Sequence, residues 1–237
     1  MRYAGGLGWP RLSGKTGEFS AGSMATRAGF RITHWQSRPS FAVYSGWTWR
    51  KTAFILPILR DSPLPIAASQ TISQPYIVAL MTAALELKPG DRVLEIGTGS
   101  GYAAAILAEI AGEVYSVERH KILADTARQR LADLGYTNVQ VLHGDGTLGW
   151  QEQMPFDGII VAAASPEVPA SLKQQLAMGG RLVIPVGSTL QTQKLLRIRR
   201  ISDTEYSQED LGEVRFVPLI GAAGWDEPAK KGPGAIA

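Results

Sequence analysis

Three glycines at alternate positions, Gly97, Gly99 and Gly101, follow directly on the apolar run Arg92–Ile96, and Glu95 stands two residues before the first of them. Glycine at such positions permits a tight turn from strand into helix and lets a ligand lie against bare backbone. The helix that follows opens with its free N–H groups toward that ligand. The pattern is that of a nucleotide-type cofactor loop in an α/β domain; the alternative is a plain turn.

The spacing narrows the choice of cofactor. The dinucleotide fingerprint is G-x-G-x-x-G, whereas this loop reads G-x-G-x-G with Tyr102 where the third dinucleotide glycine belongs. Glu95 also opposes a pyrophosphate, because a carboxylate beside a phosphate site is repulsive. A cofactor with a cationic portion fits better, and S-adenosylmethionine carries a sulfonium, an ammonium and no phosphate. Glu118 lies 19 residues after Gly99, at the end of a second strand-like run, Glu113–Val117. An acid about 20 residues on is placed to bind ribose hydroxyls; a solvated acid at a strand end is the alternative.

Those residues need a sheet to hold them. From Asp61 onward apolar periodicity is regular. A helix is expected from Ser73, as N-cap, to a stop at Pro89-Gly90. After it come strand 92–96, helix 101–111, strand 113–118, helix 120–134, strand 138–142, strand 157–162, helix 166–177 and strand 181–186. Strands alternating with helices imply a doubly wound, mostly parallel α/β sheet, Rossmann-like in class. Gln193–Ser202 and Glu213–Leu219 are strand-like and are expected to add an antiparallel pair at one edge. Gly179-Gly180 reads as a helix stop before the fifth strand. The tail over 226–237 is rich in Pro, Gly, Lys and Ala and is expected to be flexible.

The first 60 residues differ from the rest. They hold four of the six tryptophans and a net charge of +8, against −5 for residues 61–237. No sustained period runs through them. A targeting segment, a basic arm for an anionic partner, and an atypical extension without function all fit. The body being mildly acidic, no nucleic-acid surface is expected on it. The chain has no cysteine and only three scattered histidines, His34, His120 and His143. Thiolate chemistry is thereby excluded, and no metal site is expected. No apolar run reaches the roughly 18 residues of a membrane-spanning helix, and no continuous apolar signal core is seen near the start. A cytoplasmic monomer without a membrane partner is the expectation.

Other positions could carry chemistry. Asp145 and Gly146 follow the third strand and point to the crevice at the carboxyl ends of the strands, where Asp145 could accept from an adenine amino group. A turn aspartate bonded to its own backbone is the alternative. Asp157 reads as structural. Ser69–Pro75 is polar, with three hydroxyls and two amides ahead of the first helix. No nucleophile elbow or His–Asp set accompanies its serines.

Leu64-Pro-Ile66, Gln70–Pro75, Val93–Tyr102, Gly144-Asp-Gly146, Gly179–Gly187 and Val214–Leu219 occur in the order and form that resemble the protein-L-isoaspartate O-methyltransferases. The likeness spans about residues 61–225. The glycine loop is shared by many methyltransferases, while Gln70–Pro75 and Val214–Leu219 are specific to this family. The resemblance implies methyl transfer from S-adenosylmethionine to the α-carboxylate of L-isoaspartyl residues in aged proteins and peptides; the ester then collapses to a succinimide, a path back to aspartate. It implies Ser73 as the active-site residue. Cofactor contacts would come from Glu95, Gly97, Thr98, Gly99, Ser100, Gly101, Glu118, Asp145 and Gly146. Thr71, Ile72, Val217, Pro218 and Leu219 would hold an extended isoaspartyl peptide. The N-terminus departs from the family, whose members begin with helices that help cover the cofactor. A nicotinamide oxidoreductase, a methyltransferase of another substrate, and a non-enzymatic cofactor-binding homologue are the rival readings.

Overall fold

The computed structural model describes residues 64–189 and 191–227. The basic extension over 1–60 and all but two residues of the expected tail lie outside the described residues.

A short antiparallel pair, β1 (Leu64–Pro65) and β2 (Thr71–Ile72), precedes helix α1 (Pro75–Ala84). There follow β3 (Arg92–Ile96), α2 (Tyr102–Ala108), β4 (Glu113–Glu118), α3 (Lys121–Asp133) and β5 (Val139–His143). After two 3-10 turns come β6 (Phe156–Val161), α4 (Ala170–Gln174), β7 (Leu176–Val186), β8 (Gln193–Arg200) and β9 (Tyr206–Val214). Strands β3 to β9 form one seven-stranded sheet in the order β5-β4-β3-β6-β7-β8-β9. Pairings from β5 through β7 are parallel, and β8 and β9 add the antiparallel edge. The fold is the mostly parallel, doubly wound sheet that the alternation of elements implies.

Both faces of the central strands are covered, so their side chains are apolar almost without break. Leu94 and Ile96 of β3 enter one core with Val117, Phe156, Ile159, Leu172, Leu182 and Ile184. Val93 enters the other core with Met81, Leu85, Ala104, Leu107, Val114, Leu131, Ile160 and Val183. Side chains alternate across a strand, so Glu95 shares the face of Val93 and stands at the end of that second core.

Several boundaries differ from the sequence reading. The helix expected over 166–177 is limited to α4, because Pro169 precedes it and Leu176 already belongs to a strand. Gly179-Gly180 does not stop a helix; it lies inside β7. Gly179 has φ +76°, and a Cβ on Gly180 would stand 2.9 Å from the carbonyl oxygens of Ala177 and Phe156. The register of β7 on β6 shifts between Phe156 and Gly158, so the glycine pair makes a bulge. The last strand is the polar stretch Tyr206–Val214 and not Glu213–Leu219. Its charges pair across to β8, Asp210 with Lys194 at 3.0 Å and Glu209 with Arg197. A charged edge strand resists pairing with another chain.

Leu182 is fully buried at the middle of β7. Leu182→Ala should lower unfolding stability by about 2–5 kcal/mol, from lost transfer energy plus the cavity left behind, read from the urea midpoint of a two-state transition.

Candidate active site

The strand order reverses between β3 and β6, and in open α/β sheets the ligand crevice forms at that point, beyond the carboxyl ends of the strands. A cavity of about 300 Å³ lies there. Gly97, Gly99 and Gly101 have φ of +94°, +53° and +85°, the left-handed region that side chains other than glycine rarely adopt. The turn is tied from several sides. Gly97 N donates to Val117 O at 2.8 Å, Gly101 N to Thr98 O at 2.8 Å, and Arg130 Nη1 to Ser100 O at 2.6 Å.

Glu118 holds the same turn through its carboxylate. One oxygen accepts from Gly99 N and the other from His120 N, both at 2.9 Å. Each carboxylate oxygen retains a further acceptor site, so the group can brace the loop and still receive a ligand hydroxyl.

Glu95 is 1% exposed and lines the cavity. Its Oε2 accepts from Ser116 Oγ, directly across the register on β4, and Ser116 Oγ also shares a hydrogen bond with Thr98 Oγ1. Oε1 is buried without a hydrogen-bond partner; the Ala104 backbone lies close but completes no bond to it. Burial pushes the Glu95 carboxyl up to about 8, with the Ser116 hydroxyl opposing and the charge of Glu118 adding to the rise.

Of the residues expected from the sequence, Thr71, Ile72, Ser73, Glu95, Gly97, Thr98, Gly99, Ser100, Glu118, Gly146, Val217, Pro218 and Leu219 all line this one cavity. Gly101 and Asp145 do not. Gly101 packs instead against Leu131 and Ala127 of α3, at 3.4 and 3.5 Å from where its Cβ would be. Asp145 takes the turn role. Its Oδ1 accepts from Thr147 N (2.8 Å) and Thr147 Oγ1 (2.7 Å), and its Oδ2 from Ala222 N (2.8 Å). Burial alone would raise its carboxyl, but those donors outweigh it and hold the group below the ordinary aspartate range.

Ser73 is not the N-cap of α1. Gln74 holds that position, no side-chain cap bond forms, and Pro75 opens the helix. The fixed φ of proline and its missing N–H suit the first helical position, which leaves the Ser73 hydroxyl on the cavity wall free of a capping duty.

Sequence reasoning missed Ser116, a serine inside a buried strand that nothing in its spacing marks. It also missed Arg119 and His120 on the cavity wall and the segment after Leu219. That segment folds back: Trp225 N donates to Leu219 O at 2.8 Å and Trp225 Nε1 to Ala164 O at 3.0 Å. Val217–Leu219 is meanwhile pinned to Ala164 by two backbone hydrogen bonds.

Comparison with known proteins bears on this site as a whole. A profile of the family "Protein-L-isoaspartate(D-aspartate) O-methyltransferase (PCMT)" matches residues 47–224. A protein-L-isoaspartate O-methyltransferase of Rhodopseudomonas palustris is 58% identical over 172 residues, covering 73% of this chain and 79% of its own. The chain belongs to the protein-L-isoaspartate(D-aspartate) O-methyltransferase family. A second member, from Marinobacter nauticus, is 63% identical over 165 residues, covering 70% of this chain and 75% of its own. A solved protein-L-isoaspartate O-methyltransferase aligns with a TM-score of 0.65 at 31% identity, covering 72% of this chain and 56% of its own longer chain. A Plasmodium falciparum methyltransferase structure of the same family, in complex with S-adenosyl-L-homocysteine, aligns with a TM-score of 0.59 at 29% identity, covering 68% of this chain and 80% of its own.

The cavity of this family member suits a cationic adenosyl cofactor. Bare backbone at Gly97 and Gly99 leaves room, Glu118 offers acceptors, and a buried carboxyl with an unpartnered oxygen stands beside them.

Two predictions test this wiring. Asp145→Asn should cost about 1–3 kcal/mol of stability at neutral pH, since one carboxylate receives three donors. A depressed carboxyl stabilises the fold above the ordinary aspartate range and loses that contribution as pH falls through its folded value. Urea midpoints of wild type and variant should therefore converge as the pH is lowered below the ordinary aspartate range. Gly146→Ala should also destabilise, by about 1–3 kcal/mol, because its Cβ would stand 2.4 Å from Cγ2 of the buried Ile96; thermal melting reads the loss.

Proposed function

We infer that this chain transfers the methyl group of S-adenosyl-L-methionine to the α-carboxylate of L-isoaspartyl residues in damaged proteins and peptides, a repair reaction. One observation carries the reading: the glycine loop, the Gln70–Ser73 segment and the Val217–Leu219 segment, far apart in sequence, line one cavity in a member of this family. The cofactor supplies an electrophilic methyl on a sulfonium centre.

The chain's own contribution is alignment and exclusion of water. A substrate carboxylate is already ionised near neutral pH, since free carboxyls titrate near 4. No general base is needed, which suits a site whose substrate-side wall offers hydroxyls and an amide. Glu118 receives the ribose hydroxyls while its amide bonds keep the loop in place. Thr98 and Ser100 carry hydroxyls at the loop, and Gly146 gives backbone room at the far side. Ser73 and Thr71 orient the incoming carboxylate by hydrogen bonding. Ile72, Val217, Pro218 and Leu219 supply an apolar bed for an extended peptide. Met81 and Val78 add apolar surface to the cavity lining, which helps keep water from the reacting atoms.

The catalytic unit is the stretch 61–225. Among the described residues no helix is long and apolar enough to cross a membrane. The chain is proposed to work as a monomer in the cytoplasm on protein and peptide, and the acidic balance of residues 61–237 disfavours nucleic acid as a partner.

Two peptides that differ only in aspartyl or isoaspartyl linkage, offered with labelled cofactor, test the reading. Base-labile methyl ester should appear on the isoaspartyl peptide alone; equal labelling of both, or of neither while cofactor binds, would overturn it. Ser73→Ala should lower kcat by about tenfold to a hundredfold while the cofactor Kd stays within about twofold, the pattern of a group that positions only the substrate. Equal loss in both would assign Ser73 to the structure of the wall.

A further inference from the structure

Glu95 presents a problem that its place beside the cofactor loop does not by itself solve. It is a carboxyl at 1% exposure with one oxygen unpartnered. An ionised carboxylate left buried and unpaired is heavily penalised, and such groups neutralise instead. Among the described residues no cation stands as its hydrogen-bond partner. The titratable groups that share the cavity are mostly of the wrong sign or peripheral. Glu118 comes from β4, Tyr102 from α2, Arg119 and His120 from the turn after β4, and Glu227 from the C-terminal segment. Arg119 is spoken for by Glu227, at 3.2 Å. The part of α1 that reaches the cavity, Val78 and Met81, and the end of β6 bring no ionisable group.

The hydroxyls beside Glu95 can serve either protonation state. Ser116 is fully buried and bridges Glu95 Oε2 and Thr98 Oγ1, each at 2.5 Å. A hydroxyl donates one hydrogen bond and accepts others. With Glu95 ionised, Thr98 donates to Ser116 and Ser116 to the carboxylate. With Glu95 protonated, the carboxylic acid donates to Ser116 and Ser116 to Thr98. The chain reverses without any heavy atom moving. Its far end, Thr98, lies on the cavity wall within the glycine loop.

We propose that Glu95, Ser116 and Thr98 form a reversible proton store beneath the glycine loop, in which Glu95 holds its proton in the free protein and releases it to solvent when a cationic ligand enters the cavity. The proposal rests on the cofactor reading given above, since the cofactor is the cation. On release the O–H bond of the carboxylic acid breaks, the electron pair stays on Glu95, and the proton passes to buffer. The ionised carboxyl then faces a positive charge that it lacked before. Ser116 is a positioning residue here, because it acts through Glu95 and Thr98 and does not reach the cavity. Burial lifting the Glu95 carboxyl to about 8 accords with a stored proton at neutral pH.

Calorimetric titration of the full chain with S-adenosyl-L-methionine, in buffers of different ionisation enthalpy, counts the protons released. Wild type should release about one proton more per site near pH 7 than Glu95→Gln does, the variant subtracting any proton lost by the ligand itself. Wild-type affinity should rise by up to tenfold per pH unit and level off near pH 8, whereas the variant should be flat apart from the ligand's own titration. In Ser116→Ala the ionised form loses a donor, so the levelling point should move to higher pH. Equal proton counts in wild type and Glu95→Gln would overturn the proton store, and an unmoved levelling point in Ser116→Ala would remove Ser116 from it. Failure of wild type to bind the cofactor at any pH would instead overturn the cofactor reading itself.

Discussion

The site depends on the bond between the amide of Gly99 and the carboxylate of Glu118. It joins the turn after β3 to the end of β4, and the second oxygen of the same carboxylate caps the entry to α3 through His120. A charge-assisted bond of this kind is stronger than a neutral one and is shielded here from water. Because β3 and β4 pair in parallel register from Arg92–Glu113 to Ile96–Val117, the two ends arrive level, and a single carboxylate can reach both. The sheet thus sets the height of the loop, and Glu118 sets its curvature. Gly101 then lets α2 leave the turn close against Leu131 of α3. A side chain at any of the three glycines would have to adopt a left-handed backbone, which is the constraint that excludes it.

The opposite wall is built from a different end of the chain, and its support is less obvious. Val217–Leu219 is paired to Ala164, which follows β6, and the segment beyond returns through Trp225. Asp145, which follows β5, anchors that return at Ala222, and Thr147 Oγ1 accepts from Ala223 N at 3.1 Å. The loops after β5 and β6 are therefore stitched to the C-terminal segment. Gly221 lies so close to the Asp145 carboxylate that a Cβ would stand 2.1 Å from Oδ1. An aspartate whose position in the sequence suggests a ligand contact is the fastening of the wall on which substrate contacts are proposed.

Burial and locality decide which of these features the residue pattern alone makes legible. β3, β4 and β6 are buried on both faces, so their continuous apolar runs announce them, and the glycine loop is local in sequence. Residues 206–214 carry no such signal: only Tyr206, Leu211 and Val214 reach the cores, and the charged residues between them face β8 and solvent, so Tyr-Ser-Gln-Glu-Asp-Leu-Gly-Glu-Val reads as loop. The bulge at Gly179-Gly180 hides a strand start behind a helix-stop signal, because both use glycine for the same positive φ. Ser73 has the residue type of a cap, whereas Pro75 two positions later governs where the helix begins. Nothing in the sequence singles out Ser116, since its role exists only through the register that sets it against Glu95. Thirteen of the expected site residues gather at the cavity because their motifs are contiguous, while the buried groups behind them depend on tertiary neighbours.

Charge distribution links the two walls. Glu95 and Glu118 stand at the ends of adjacent strands, on the side of the glycine loop, while Gln70–Ser73 and Val217–Leu219 bring no acid to the other side. Like charges that share a cavity repel, and the charge of Glu118 adds to the rise of the Glu95 carboxyl. Glu118 accepts two backbone donors, whereas Glu95 has one hydroxyl and an orphaned oxygen. Burial with so few donors favours the neutral form of Glu95. On the proposed reading, the proton that Glu95 releases offsets the net positive charge that the cofactor brings, so the summed charge of the site is unchanged while a sulfonium now stands within it for the substrate carboxylate to approach. The same buried acid that disfavours a pyrophosphate in this loop would then pair with the cofactor's positive charge.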